Sequence, residues 1–185
     1  MELEYLNSVK KQFTYYKALG EKTFVQLEDN DFFWQYNAQS NSIAIIVNHL
    51  WGNMTSRWTD FLISDGEKEW RERDLEFDDI IKTKAELLEK WQIGWDCLFE
   101  ALASVKQENF NTEILIRNQS HSISEALNRQ LAHYAYHIGQ IVYLGRMLKS
   151  DSWQSLSIPK GDSKLFNKEK FSKGKHGGHF TDDIL

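Results

Sequence analysis

The chain is poor in nearly everything that interrupts a helix or crosses a membrane. Among its 185 residues there is one proline, and ten are glycine, too few breaks for the many turns of an all-β fold, so long helices are expected. The single cysteine, Cys97, has no partner for an internal disulfide. It falls within a helical apolar pattern, away from basic residues that would activate a thiol, and a reducing, cytoplasmic setting is expected. The longest aliphatic run, Ile43 to Val47, is far short of the roughly 20 residues that a membrane span needs. The opening residues, MELEYLNSVKKQF, carry charges throughout and do not read as a signal peptide. A positive excess is missing too: 22 Lys and Arg against 27 Asp and Glu give a net charge of −5, which argues against nucleic acid as a partner.

What is present is core material, 41% hydrophobic and 14% aromatic, enough for one domain of this length. Leu6, Val9, Phe13, Tyr16, Thr23, Phe24 and Leu27 recur at spacings of three and four and predict a first helix from Leu3 to Leu27. The Asn-, Asp- and Ser-rich stretch that follows is a loop carrying aromatics. From Ser42, a cap candidate, Ile43, Ile46, Val47, Leu50, Met54, Trp58 and Phe61 predict a second helix. The charged segment SDGEKEWRERDLEFDD breaks the pattern and is long enough to cross from one end of a bundle to the other. A third helix is predicted from Asp78 or Asp79 to Val105, on Ile80, Ile81, Leu87, Leu88, Trp91, Trp95, Leu98, Phe99 and Leu102.

The alternating EILIR before the turn-like NQS can form a short β-hairpin, which would need support from the bundle. Ser122 and Glu125 have the spacing of a capping box and open a fourth helix reaching about Lys149, with Gly145 allowing a close helix approach. The expected architecture is all-α: a four-helix bundle over residues 1–150 with a long crossover between helices two and three. Residues 151–185 form an irregular extension, partly packed on the bundle and ending in a mobile tail.

His133 and His137 stand four apart on the last helix, which places two imidazoles on one side of it. They are either core histidines bonded to neighbours or half of a metal site. Gln130 and Gln140 flank the pair on the same stripe, and polar side chains gathered in a bundle core are costly unless they converge on a cation or a cavity water. His49 on helix two is the best third ligand, with Asn53 one turn later on its face; its alternative is a helix-flank residue. Three protein ligands with one open position is the arrangement of catalytic zinc sites. Tyr134, Tyr136 and Trp51 are further candidates for the pocket wall, each also readable as packing. His121 reads as a strand or cap residue, and His176 and His179 as a glycine-flanked surface tract, so these three are left out of the site.

The segment SNSIAIIVNHLWGNMTSRW, followed on the last helix by EALNRQLAHYAYHIGQIVYLGRML, resembles the DinB superfamily, with its YfiT-like metalloenzyme-type proteins and bacillithiol transferases, over roughly residues 1–150. The resemblance rests on a histidine near the middle of helix two and an HxxxH pair on the last bundle helix, positions filled here by His49, His133 and His137. It implies a four-helix bundle of DinB/YfiT-like connection order, often dimeric, that binds a divalent ion such as zinc or nickel through the three histidines. It further implies transfer of a low-molecular-weight thiol to a small electrophilic substrate. A metal-dependent hydrolase or isomerase on the same site, and a non-catalytic, stress-related metal-binding bundle, remain the competing readings. No carboxylate base is assignable from position.

Overall fold

The computed structural model describes residues 2–182. It contains α1 (Glu2–Phe24), α2 (Ile43–Trp58), α3 (Lys84–Ser104), a hairpin of β1 (Glu113–Ile116) and β2 (Gln119–Ser122), α4 (Ile123–Lys149) and α5 (Ser163–Ser172). Short 3-10 turns lie at Asp29–Phe33, Asp74–Phe77 and Ser150–Ser152. The all-α bundle with a hairpin before the last long helix is what the sequence predicts. No helix among the described residues is long and apolar enough to cross a membrane.

Side-chain pairings fix the helix directions. Lys90 sits over Trp51, and Cys97 lies beside Met54 and Thr59, so α2 and α3 ascend together. Tyr5 reaches Ser124 and Asn128, Phe13 meets Tyr134, and Thr23 touches Gly145, so α1 and α4 are parallel as well. The two pairs oppose each other, since Phe24 packs on Trp91 while Tyr5 packs on Phe110 beyond the far end of α3. Parallel sequential helices cannot be joined by a tight turn, which is why residues 59–83 form a long crossover. Trp95, Tyr134, Phe13 and Leu98 are wholly buried where the helices meet, each apolar side chain contributing roughly 1.5–3 kcal/mol by removal from water.

Caps set the helix starts. Ser42 accepts from Ile45 N–H, and Thr83 with Glu86 and Ser122 with Glu125 form reciprocal capping boxes. The Thr83 box corrects the expected start of the third helix at Asp78 or Asp79: it begins at Lys84, and Ile81 is buried from the preceding loop while Ile80 is exposed. The first helix likewise ends at Phe24, not Leu27.

The hairpin turn is Arg117–Asn118, both at positive φ (55° and 58°), the two-residue type I′ pattern whose twist suits antiparallel strands. The crossover holds it. Asp65 accepts the N–H groups of Arg117 (2.8 Å) and Asn118 (2.7 Å), and Gly66 donates to the Leu115 carbonyl. Burial works against the Asp65 charge, but these backbone donors and that of Glu67 outweigh it and hold the carboxyl below its usual pKa.

The extension differs from the irregular segment expected: it forms α5, none of whose residues is buried, so no apolar stripe announced it. Farther on, His179 Nε2 lies 3.1 Å from Ser8 Oγ, Thr181 is fully buried, and Lys11 pairs with Asp182 at 2.6 Å, which ties residues 179–182 to α1. The last residues of the expected tail, 183–185, lie outside the described residues.

Candidate metal centre

α2 carries His49, Asn53 and Arg57 at intervals of four, so they line one stripe; α4, running the other way, presents Arg129, Gln130, His133 and His137 to it. One ligand atom from each of His49, His133 and His137 lies within 4.8 Å of the others, and the three could hold a metal ion. His133 Nε2 is 3.2 Å from His49 Nε2 and 3.1 Å from His137 Nε2. Two imidazole nitrogens bound to a zinc-like ion stand about 3.3 Å apart at the tetrahedral angle and about 2.9 Å at a right angle, so these separations suit a common ion.

The hydrogen bonds behind the rings fix which nitrogens are bare. His49 Nδ1 is 2.8 Å from Glu76 Oε2, and an ionised carboxylate only accepts, so Nδ1 carries a proton and, in the neutral ring that would ligate a metal, Nε2 holds the lone pair. His133 Nδ1 is 3.3 Å from Gln130 Oε1, again an acceptor, which leaves its Nε2 bare. With both rings in these neutral tautomers, two lone pairs face each other, an arrangement that repels unless a cation stands between them. Burial first, then the neighbouring imidazoles, push the pKa of His133 down to about 3; burial and His49 push that of His137 down to about 4. Both of these imidazoles are neutral near pH 7, the form that ligates metal.

Glu76 is the residue that sequence reasoning missed. It sits in the crossover, in the turn Asp74–Phe77, is 5% exposed, and binds both His49 and the fork of Arg71 (Nε 2.7 Å, Nη2 2.9 Å). Desolvation alone would raise its pKa, but the bonds from His49 and Arg71 prevail and hold it below the usual carboxylate value. Gly52 on α2 makes room: a Cβ there would stand 2.5 Å from Glu76 Oε1. Asn48 Nδ2 donates to the Glu76 carbonyl and Phe77 stacks on the His49 ring, 4.7 Å between centroids, so the whole turn is pinned to α2. Its one available signal was a lone acidic residue among many in the crossover, with nothing local to single it out.

The other expected wall residues divide. Asn53 lines the cavity and accepts from Tyr134 Oη (3.1 Å), which in turn accepts from Trp58 Nε1 (3.0 Å). Tyr136 lines it too. Tyr134, fully buried, is a core residue with its pKa raised by burial, and Trp51 lies under Lys90 outside the cavity. Gln130 is in place behind His133; Gln140 neighbours His137 and favours its protonation, but His137 Nδ1 has no partner in hydrogen-bonding geometry. His121, His176 and His179 stand apart from the cluster, and Cys97, whose pKa burial raises, lies on the α2–α3 side. The cavity over the histidines measures about 420 Å3.

A family model described as "Protein of unknown function (DUF1572)" matches residues 1–162. No curated protein and no solved structure matches the chain.

Proposed function

The chain belongs to the DUF1572 family of proteins of unknown function, and from that premise we propose that it is a DinB-like metal-dependent enzyme which transfers a low-molecular-weight thiol to a small electrophilic substrate. The observation that carries the reading is the pair of bare Nε2 atoms of His49 and His133, 3.2 Å apart, with the His137 Nε2 beside them. Three imidazoles suit zinc or nickel, and copper or iron nearly as well. A divalent ion, when bound, supplies the Lewis acidity that brings a thiol to thiolate near neutral pH.

The chain's own residues do the rest. His49, His133 and His137 hold the ion; Glu76 and Gln130 keep the tautomers that point two lone pairs inward, and Arg71 keeps Glu76 ionised. The Phe77 ring over His49 excludes water from that flank, and Asn53 and Tyr136 shape the wall against which a small molecule rests. The nucleophile comes with the cosubstrate, consistent with a half-buried, unactivated Cys97. Two copies pairing belongs to the same reading, because Tyr136, Tyr143 and Met147 leave an exposed stripe on α4 that light scattering would test as a dimer face.

The test is elemental analysis of untagged protein and of His49→Ala, followed by a panel of thiols with an aryl halide. Near-stoichiometric metal that disappears in the variant, together with thiol-dependent loss of the halide, is expected. Metal-free native protein would sink the proposal, and turnover without thiol would favour hydrolysis over transfer.

A further inference from the structure

The chain has six arginines, and five of them, Arg57, Arg71, Arg73, Arg117 and Arg129, line the cavity over the three histidines, which has no lysine and no carboxylate in its wall. That concentration occurs on a chain of net charge −5. Part of it is structural. Glu76 takes the Arg71 fork, and Glu67 is shared by Arg71 (3.0 Å), Arg117 (3.3 Å) and, at 3.9 Å, Arg57. Arg73 lies over Phe77 and 4.0 Å from the exposed Asp74.

Five guanidinium groups therefore meet three carboxylates: Arg129 pairs with none of them, and Arg57 has only the long 3.9 Å contact to the shared Glu67. Arg57 has a side chain only 4% exposed, yet its Nε and Nη1 have no hydrogen-bond partner. Unpaired donors of a buried cation are costly, and an anion that drew the guanidinium off Gly66 toward the cavity would satisfy them. Arg129 has no ion pair among the described residues. Burial, with Arg129 and Arg71 adding to it, lowers the pKa of Arg57, a sign of how crowded positive charge is there.

We infer that Arg57 and Arg129 bind the oxyanion group, carboxylate or phosphate, of a small substrate whose reactive end lies at the three histidines. The inference rests on the reading of this cavity as the substrate site. Arg129 is one helical turn from His133 and Arg57 two turns from His49, roughly 6 and 12 Å along antiparallel helices, and both lie on the same side of the imidazoles. A molecule with an anionic group at one end thus fits lengthwise between the arginines and the histidines. Arginine suits this task where lysine does not, because its planar fork meets two oxygens at once.

The experiment is calorimetric titration of full-length, chelator-treated protein with inorganic phosphate and, separately, succinate, and succinamide as the neutral control. Saturable binding of at least one anion and none of succinamide is expected. It should weaken tenfold or more in Arg129→Gln, an exposed position that leaves the core intact, and hold in Arg146→Gln, the one arginine outside the cavity. The tighter probe identifies the group as phosphate or carboxylate. Absence of saturable heat with both anions, a loss below tenfold in Arg129→Gln, or an equal loss in Arg146→Gln overturns the inference. Because the protein is stripped of metal, failure of the metal proposal leaves this titration unchanged, and failure here leaves the elemental analysis unchanged.

Discussion

Burial and neighbouring imidazoles keep His133 and His137 uncharged until the pH approaches about 3 and about 4, whereas in an unfolded chain each would protonate near 6.5. With the folded pKa below the unfolded one, the unfolded state binds more protons across that interval, so stability is full above about pH 6.5 and declines as the pH falls toward 4. Scanning calorimetry of metal-free protein should show the melting temperature falling over that range, and the His133→Ala, His137→Ala double variant should show a flatter profile. An unchanged slope in the double variant would remove these residues as the cause. Glu76 makes a second prediction at this scale. Glu76→Gln takes one carboxylate from the buried Arg71 and weakens the acceptor behind His49, so urea unfolding should report a loss of about 3 kcal/mol, and metal affinity should drop by roughly 10- to 100-fold.

The decisive element is the crossover. Parallel α2 and α3 require a connection that travels the length of the bundle, and residues 64–77 use that passage to anchor the hairpin through Asp65 and to bring Glu76 beneath His49. Gly52 is the point of closest approach. Gly52→Ala sets a methyl group 2.5 Å from Glu76 Oε1, and α2 tolerates alanine well, so the effect should come from displacement of the turn: a loss of about 1–3 kcal/mol in unfolding and faster amide exchange across residues 71–77. Stabilisation by the substitution, as helix propensity alone would give, would show that the approach is not tight. Gly145, whose added Cβ would stand 2.5 Å from Thr23 Cγ2, plays the close-approach role that its sequence context suggests.

For the molecule as a whole, an ion held between α2 and α4 would tie together the two helix pairs, and any ligand that binds only the folded state stabilises it. Metal at 100 times its dissociation constant should add about 2.7 kcal/mol, read as a rise in melting temperature that His137→Ala abolishes; equal melting curves with and without metal would contradict the proposal. Much of this architecture was written locally. The period of three and four in Leu6 to Leu27 and Leu127 to Leu148, the Ser122–Glu125 box, and the HxxxH spacing each act within a few turns of chain, so sequence alone determined four bundle helices, the hairpin before the last and two of the three clustered histidines as a pair. His49 was legible as their best companion from its place beside the apolar stripe of helix two, and the DinB-like pattern pointed to the same residue. Tertiary structure decided what depends on distant segments meeting: the Glu76 carboxylate behind His49, the division of Tyr134 to the core and Tyr136 to the cavity, and the convergence of five arginines from two helices, the crossover and the hairpin turn. Helical periodicity records which side of a helix is buried, but electrostatic and hydrogen-bond partners between segments leave no period, and only the packed chain brings them within reach.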